Sequence, residues 1–211
     1  MQWSLRNWIA LLEQVRKCRQ SAFYEMMRQR RLETESQAST SSLDGAVLYG
    51  LTRLCKPRVV VETGSYRGMS TAFLRRAQMD AGLAEGCVIT IERRVDCQLG
   101  LLVTDDLKSG VKHLIGDIRA LVDTDEIPPR IDLFFHDSTH RYEHQLWEFE
   151  TFWPRLSSGG MLVSHDVGMN ASFVDFVSST YVHNDRGVTD VAKTSHGAWG
   201  RIGSIGFALK T

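Results

Sequence analysis

The chain has 211 residues, 43% of them hydrophobic, and its 25 basic and 25 acidic side chains leave a formal charge of +0. That length fits one α/β domain with extra N-terminal helices. The balanced charge argues against a nucleic-acid surface, and no apolar run is long enough to span a bilayer.

Residues 1 to about 35 read as helical, because Trp8, Leu12, Val15, Phe23, Met26 and Met27 recur near helical spacing between Arg and Glu. Arg6, Glu13 and Arg16 interrupt the apolar pattern too early for a signal peptide. Packing on the domain's own core is the expectation, with a homo-oligomer face or a membrane-surface helix as alternatives. The polar segment from Glu33 to Ser42 reads as a loop over the sheet edge. Residues 1–42 are therefore taken as a helical segment and loop belonging to the same domain as residues 43–211. Asp44 is placed to cap a helix from Gly45 to Leu54, which Lys56-Pro57 ends.

Val59 to Thr71 follows, reading Val-Val-Val-Glu-Thr-Gly-Ser-Tyr-Arg-Gly-Met-Ser-Thr. Three β-branched residues in a row suit a strand buried on both faces. Glu62 ends the strand, and Gly64 and Gly68 open a turn that leads through Ser70 into a helix. Such a turn lets a ligand approach the backbone closely, at the carboxyl edge of an α/β sheet. The spacing is Gly-x-x-x-Gly, not the Gly-x-Gly-x-x-Gly of a dinucleotide site. An early acid disfavours a pyrophosphate but can receive the cationic amino end of a ligand.

Further strands are expected at Cys87–Glu92, His113–Asp117, Ile131–Asp137 and Gly160–Asp166, the last after a Ser-Ser-Gly-Gly turn. The tail from Val188 to Lys210 suits a closing antiparallel pair. Strands alternating with helical stretches give a Rossmann-like, doubly wound, mostly parallel sheet of seven strands. Glu92 stands where a carboxylate can accept both hydroxyls of a ribose. Asp137, His140, His165 and Asp166 fall at or just past the last two parallel strand ends, on the same edge as Glu62 and Glu92. Acids and imidazoles there can bind a divalent metal or move a proton. The competing reading makes Asp137 and Ser138 helix caps, with His136, His140 and His144 a helical stripe by accident. The four cysteines (Cys18, Cys55, Cys87, Cys97) lack metal-finger or Cys-x-x-Cys spacing and read as reduced thiols of a cytoplasmic protein.

Four stretches in order, Val59 to Ser70, Val88 to Glu92, Asp132 to Glu143 and Gly159 to Asp166, resemble the catechol O-methyltransferase-like class of class I S-adenosylmethionine-dependent methyltransferases. Their nearest likeness is to its bacterial branch, which includes methyltransferases of macrolide sugars and related small molecules. The resemblance runs from about Ser41 to Val167. It implies an S-adenosylmethionine-binding domain over residues 43–211, with Glu62 meeting the methionine amino group. Gly64, Ser65, Tyr66, Gly68 and Ser70 would line the methionine part, Glu92 would take the ribose, and Asp117 and Ile118 would border the adenine. Asp137, His165 and Asp166 match the metal ligands, for which Mg²⁺ or Mn²⁺ is expected, and His140 falls at the place of the general base.

His165 departs from the catechol pattern, which has an acid followed by an amide. Imidazole favours softer ions such as manganese, iron or zinc. Either another metal binds, or His165 points away and Asp166 serves alone, or no metal binds. The implied activity is O-methylation of a small hydroxylated acceptor. A metal-independent methyltransferase, a nicotinamide oxidoreductase and a cofactor-binding partner protein without transferase activity stay open as alternatives. Phe173, Phe176, Tyr181, Trp199 and Trp3 could frame an acceptor pocket or serve as ordinary core.

Overall fold

A computed structural model describes residues 4–36, 39–178 and 198–210. The N-terminal region is two helices, α1 (Leu5–Arg19) and α2 (Ala22–Glu33). The break is local: Ser21 accepts a hydrogen bond from the Tyr24 amide and so caps α2. Leu11, Val15, Phe23 and Met27 are buried, whereas Leu12 and Met26 face outward. Helix α3 (Ser42–Cys55) receives α1 at Gly50, where a Cβ would lie 2.9 Å from Leu11 Cδ1.

Ser41, not Asp44, caps α3, accepting from the Asp44 amide at 3.1 Å. The helix ends at Lys56, whose φ of 50° stops the helical path just before Pro57. The loop before α3 lies over the carboxyl edge of the sheet, with Ser36 and Thr40 buried.

The sheet contains β1 (Val59–Thr63), β2 (Cys87–Glu92), β3 (Val111–Ile115), β4 (Ile131–His136), β5 (Leu156–Ser164), β6 (Trp199–Ile202) and β7 (Ile205–Leu209). Their spatial order is β3-β2-β1-β4-β5-β7-β6. The first five run parallel, while β7 is antiparallel to both β5 and β6. The expected seven-stranded, mostly parallel α/β fold is therefore what the chain adopts. Strand boundaries move by a few residues: β3 starts at Val111 and stops at Ile115, β4 stops at His136, and β5 begins ahead of the glycine pair assigned to a turn and stops at Ser164.

Alternating strand residues feed two separate cores, as the period of two requires. Val60, Leu133 and Phe135 join α1 to α3 and α4 (Met69–Asp80) on one face. Val61, Phe134 and Leu162 join α6 (Ile118–Leu121), α7 (Tyr142–Phe152) and α8 (Ser172–Ser178) on the other. Phe173 and Phe176 belong to this second core, with ring centroids 6.1 and 5.3 Å from Phe149. For those two residues the core-packing reading holds. Trp199 lies on the edge strand, half exposed, and Trp3 and Tyr181 fall outside the described residues. A short helix α5 (Asp105–Lys108) precedes β3. No described helix is long and apolar enough to cross a membrane, and all four cysteines are free thiols.

Candidate functional site

Every sequence-predicted site residue except Glu62 and Gly68 lines one cleft of about 840 Å³ across the carboxyl ends of β1, β2, β4 and β5. That volume is within the usual range of small-molecule sites. The β1–α4 turn forms its floor. Gly64 has a φ of 83°, and a Cβ there would sit 2.1 Å from the Asp137 carbonyl oxygen. Only glycine lets the β1 and β4 ends approach this closely. Gly68 begins α4 with a φ of 85° and packs on Val103, so its role is in the turn and not the lining.

Glu92 ends β2 with its carboxylate fixed by two backbone amides, those of Tyr66 and Arg94, each at 2.8 Å. Beside it, the Ser65 hydroxyl is buried without a hydrogen-bond partner, a donor left for a ligand. Asp117 accepts from the Arg119 amide at 2.9 Å at the start of α6, and Ile118 follows it. Glu62 lies beneath the cleft, wholly buried. Its carboxylate accepts from the hydroxyls of Ser70 and Thr71, and Ser70 is the residue that reaches the lining. Burial pushes the Glu62 pKa up to about 7, against the pull of those hydroxyls.

The other half of the cleft is built where the ladder continues past β4 and β5. The Asp137 amide bonds to Thr63 O and the His165 amide to His136 O, each at 2.9 Å, so these strand ends hold Asp137 and His165 side by side. His165 Nδ1 stands 3.0 Å from Asp137 Oδ1 and 3.4 Å from Asp166 Oδ2. His140 Nε2 is 3.8 Å from Asp137 Oδ1 and 3.6 Å from Asp166 Oδ2. Asp137, His140 and His165 each bring one ligand atom to within 4.8 Å of the others. His165 thus turns inward. Despite its closeness to two acid oxygens, His165 Nδ1 makes no geometrically aligned hydrogen bond, and on the far side of the other ring the buried His140 Nδ1 has no partner.

The electrostatics of the two imidazoles differ. Burial opposes charge on His165, but the carboxylates of Asp137, Asp44 and Asp166 overcome it and raise its pKa to about 10. Burial dominates at His140 and lowers its pKa. Asp137 also accepts from the Thr40 hydroxyl at 2.9 Å, which ties the N-terminal loop to the site. Imidazole and carboxylate donors fit a divalent transition ion well, and sheltered nitrogens without partners are the kind of atom such an ion would satisfy.

Comparison with known proteins adds the family. A family described as "Methyltransferase domain" matches residues 61–167, just over half of the chain. The chain belongs to this methyltransferase family. It is a methyltransferase with the fold of solved O-methyltransferases that bind S-adenosylmethionine or S-adenosylhomocysteine. No curated protein matches it by sequence. Solved methyltransferases share the architecture at low identity. The O-methyltransferase TomG from Streptomyces achromogenes, involved in tomaymycin synthesis and solved with S-adenosylmethionine, gives a TM-score of 0.67 at 16% identity, over 99% of this chain and 100% of that one. An O-methyltransferase from Bacillus cereus, solved with S-adenosylhomocysteine, gives 0.66 at 16% identity, over 90% and 92%. A methyltransferase from Geobacter sulfurreducens gives 0.63 at 17% identity, over 90% and 89%.

The methyltransferase also has a feature that its sequence hid. Glu148, wholly buried on α7, accepts from Thr63 Oγ1 at 2.7 Å and from Ser138 Oγ at 2.8 Å, and it pairs with His136 Nδ1 at 2.7 Å and His144 Nε2 at 2.8 Å. Burial alone would raise its pKa; the attraction of His136, with the other donors, holds it well below the usual carboxylate range. His136 is on β4, His140 in a loop and only His144 on α7, so no helical stripe of histidines exists. Arg141 occupies the N-cap position of α7, so Asp137 and Ser138 are not its caps. The His144-x-x-x-Glu148 spacing was the one sequence signal for the network.

Proposed function

We propose that this methyltransferase moves a methyl group from S-adenosylmethionine to a hydroxyl of a small molecule, assisted by a divalent ion. What carries the reading is one cleft with a ribose-type carboxylate, Glu92, at one end and an acid–imidazole cluster at the other. Glu92, pre-set by the Tyr66 and Arg94 amides, would accept the ribose hydroxyls. Ser65 and Tyr66, with the bare backbone at Gly64, would line the methionine part, and Asp117 and Ile118 would border the adenine. Ser70, backed by Glu62, would meet the methionine amino group. When bound, S-adenosylmethionine would supply a methyl group on a sulfonium for transfer to the acceptor oxygen, with S-adenosylhomocysteine as the leaving product.

Asp137, His165 and Asp166 would hold the ion, Mg²⁺ or Mn²⁺ in the simplest case. Such an ion supplies Lewis acidity that lowers the pKa of the acceptor hydroxyl. His140, kept neutral near pH 7 by burial, takes the proton that the hydroxyl loses. The protein's main contribution is then alignment of the oxygen with the methyl group.

Calorimetric titration of S-adenosylhomocysteine, followed by a screen of hydroxylated acceptors for methylated product, tests this. One-site binding that Glu92→Ala weakens, together with an O-methylated product, is the expected result. Absence of binding to the natural protein would remove the proposal.

A further inference from the structure

We infer that the cluster at the ends of β4 and β5 selects a first-row transition ion over magnesium through His165, and that Asp44 is the positioning residue that makes His165 a ligand. The inference deepens the methyl-transfer reading and rests on it.

The spacing of the donors is the first argument. His165 Nδ1 is 3.0 Å from Asp137 Oδ1 and 3.4 Å from Asp166 Oδ2. Bonds of about 2.0–2.2 Å to a shared ion place adjacent donors about 3.0–3.5 Å apart. The same nitrogen is sheltered from solvent and makes no geometrically aligned hydrogen bond, so it is close to two acid oxygens without aiming an N–H at either. Asp137, His140 and His165 each bring a ligand atom within 4.8 Å of the others, so Nδ1 and Asp137 Oδ1 are spaced as co-ligands would be, with Asp166 Oδ2 beside them.

The second argument comes from the other side of the ring. His165 Nε2 faces Asp44 Oδ2 at 3.5 Å. A carboxylate there holds the Nε2 proton, so that Nδ1, turned toward Asp137 and Asp166, is the nitrogen whose proton an incoming ion would displace. Asp44 is itself held by the Ser41 hydroxyl at 2.6 Å and the Ser204 hydroxyl at 2.7 Å. Ser41 lies three residues before Asp44 at the start of α3 and Ser204 in the β6–β7 turn, so one local and one distant hydroxyl fix the carboxylate. A carboxylate behind an imidazole is the arrangement that orients a histidine ligand and raises its basicity.

The donor set then decides the ion. Magnesium wants oxygen donors in a strict octahedron, whereas imidazole gains affinity along the series from manganese to copper and zinc. An imidazole in the place of an acid therefore shifts preference away from magnesium. His140, with its longer distances of 3.8 and 3.6 Å to the two acids, stays beside this group as the proton acceptor.

The test uses chelator-treated protein titrated separately with Mn²⁺, Zn²⁺ and Mg²⁺ by calorimetry, with pulsed electron paramagnetic resonance on the Mn²⁺ sample. Mn²⁺ and Zn²⁺ should bind at least about tenfold more tightly than Mg²⁺, in line with the donor preference. The Mn²⁺ signal should show coupling to a nitrogen, lost in His165→Asp, which also narrows the gap to Mg²⁺. Asp44→Asn should weaken Mn²⁺ binding about 10–100-fold, and Ser204→Ala should act in the same direction if that variant folds poorly. S-adenosylhomocysteine titrated into the same samples should bind as in the natural protein. Equal affinity for Mg²⁺, no nitrogen coupling, or unchanged Mn²⁺ affinity in both the Asp44 and Ser204 variants would overturn the inference. Cofactor binding without any metal binding sinks this inference alone; no cofactor binding sinks the methyl-transfer reading itself.

Discussion

Two wholly buried glutamates lie under the two halves of the cleft, and they end in opposite states. Glu62, at the end of β1, has two hydroxyl partners, and its pKa is pushed up to about 7. Glu148, on α7, has two hydroxyls and two imidazoles, and its pKa is held well below the ordinary range. Burial raises both, so it is not what separates them. Neutral dipoles only soften the desolvation cost, whereas imidazoles that can carry charge reverse it. The cofactor half thus rests on a carboxyl that is close to neutral, and the acid–imidazole half on a fixed anion that orders Ser138 and His144 at the cleft wall.

Substitutions can break that contrast, and the largest effect belongs to the imidazole half. His140→Ala should lower kcat about 10²–10⁴-fold, the usual worth of a positioned base. Its S-adenosylhomocysteine affinity should stay close to that of the natural protein, since the cofactor half is untouched; steady-state kinetics beside calorimetry reads both. Next comes Glu148→Ala, which strands the buried His136 imidazole and the partly exposed His144 and should cost about 3–5 kcal/mol of stability in urea unfolding. A loss below about 1 kcal/mol would mean that the network is no better than a surface pair. On the cofactor half, Glu92→Ala removes hydrogen bonds to a charged acceptor worth about 1.5–3 kcal/mol. Cofactor affinity should therefore fall about 10–100-fold. An unchanged affinity would move the ribose elsewhere.

The two halves also differ in how far the sequence exposes them. On the cofactor half, the acid, the glycine spacing and the strand run are adjacent in the chain, and Ser65, Tyr66 and Glu92 fall where that local pattern puts them. Glu62 is the exception: its depth depends on how α4 brings Ser70 and Thr71 over it, which no strand pattern encodes. The imidazole half is built from contacts between distant segments. Thr40 reaches Asp137 across 97 positions and Asp44 reaches His165 across 121. The sequence makes Asp44 a helix cap, but Ser41 caps α3 and the aspartate backs a histidine in the cleft. The doubly wound sheet was legible for a different reason: β-branched runs and their spacing specify it by local physics. The helix break at Ser21 and the start of β3 were decided by single hydrogen bonds and by edge pairing, which shift boundaries by a few residues.

The pH dependence of stability gives the most direct reading of the two glutamates. Glu62 has a pKa near 7 in the folded protein against 4.5 for an ordinary glutamate, so between those values the folded state holds a proton that the unfolded state has lost. Its contribution to stability is complete below 4.5 and disappears as pH rises through about 7. Glu62→Gln mimics the protonated form and has no such loss. Relative to the natural protein the variant should therefore gain stability between pH 5 and pH 8, by about 1.4 kcal/mol per unit of pKa difference at most. Glu148 has the opposite sign, because its depressed pKa gives stability that is present above 4.5 and fades as pH falls below it. Glu148→Gln should accordingly lose its disadvantage in acid, while Glu62→Gln loses its advantage there. Urea unfolding of both variants across pH would show the two differences changing in opposite directions relative to the charge each site carries. If the Glu62 difference stayed flat from pH 5 to pH 8, that carboxyl would be ionised throughout, and both halves of the cleft would rest on anions.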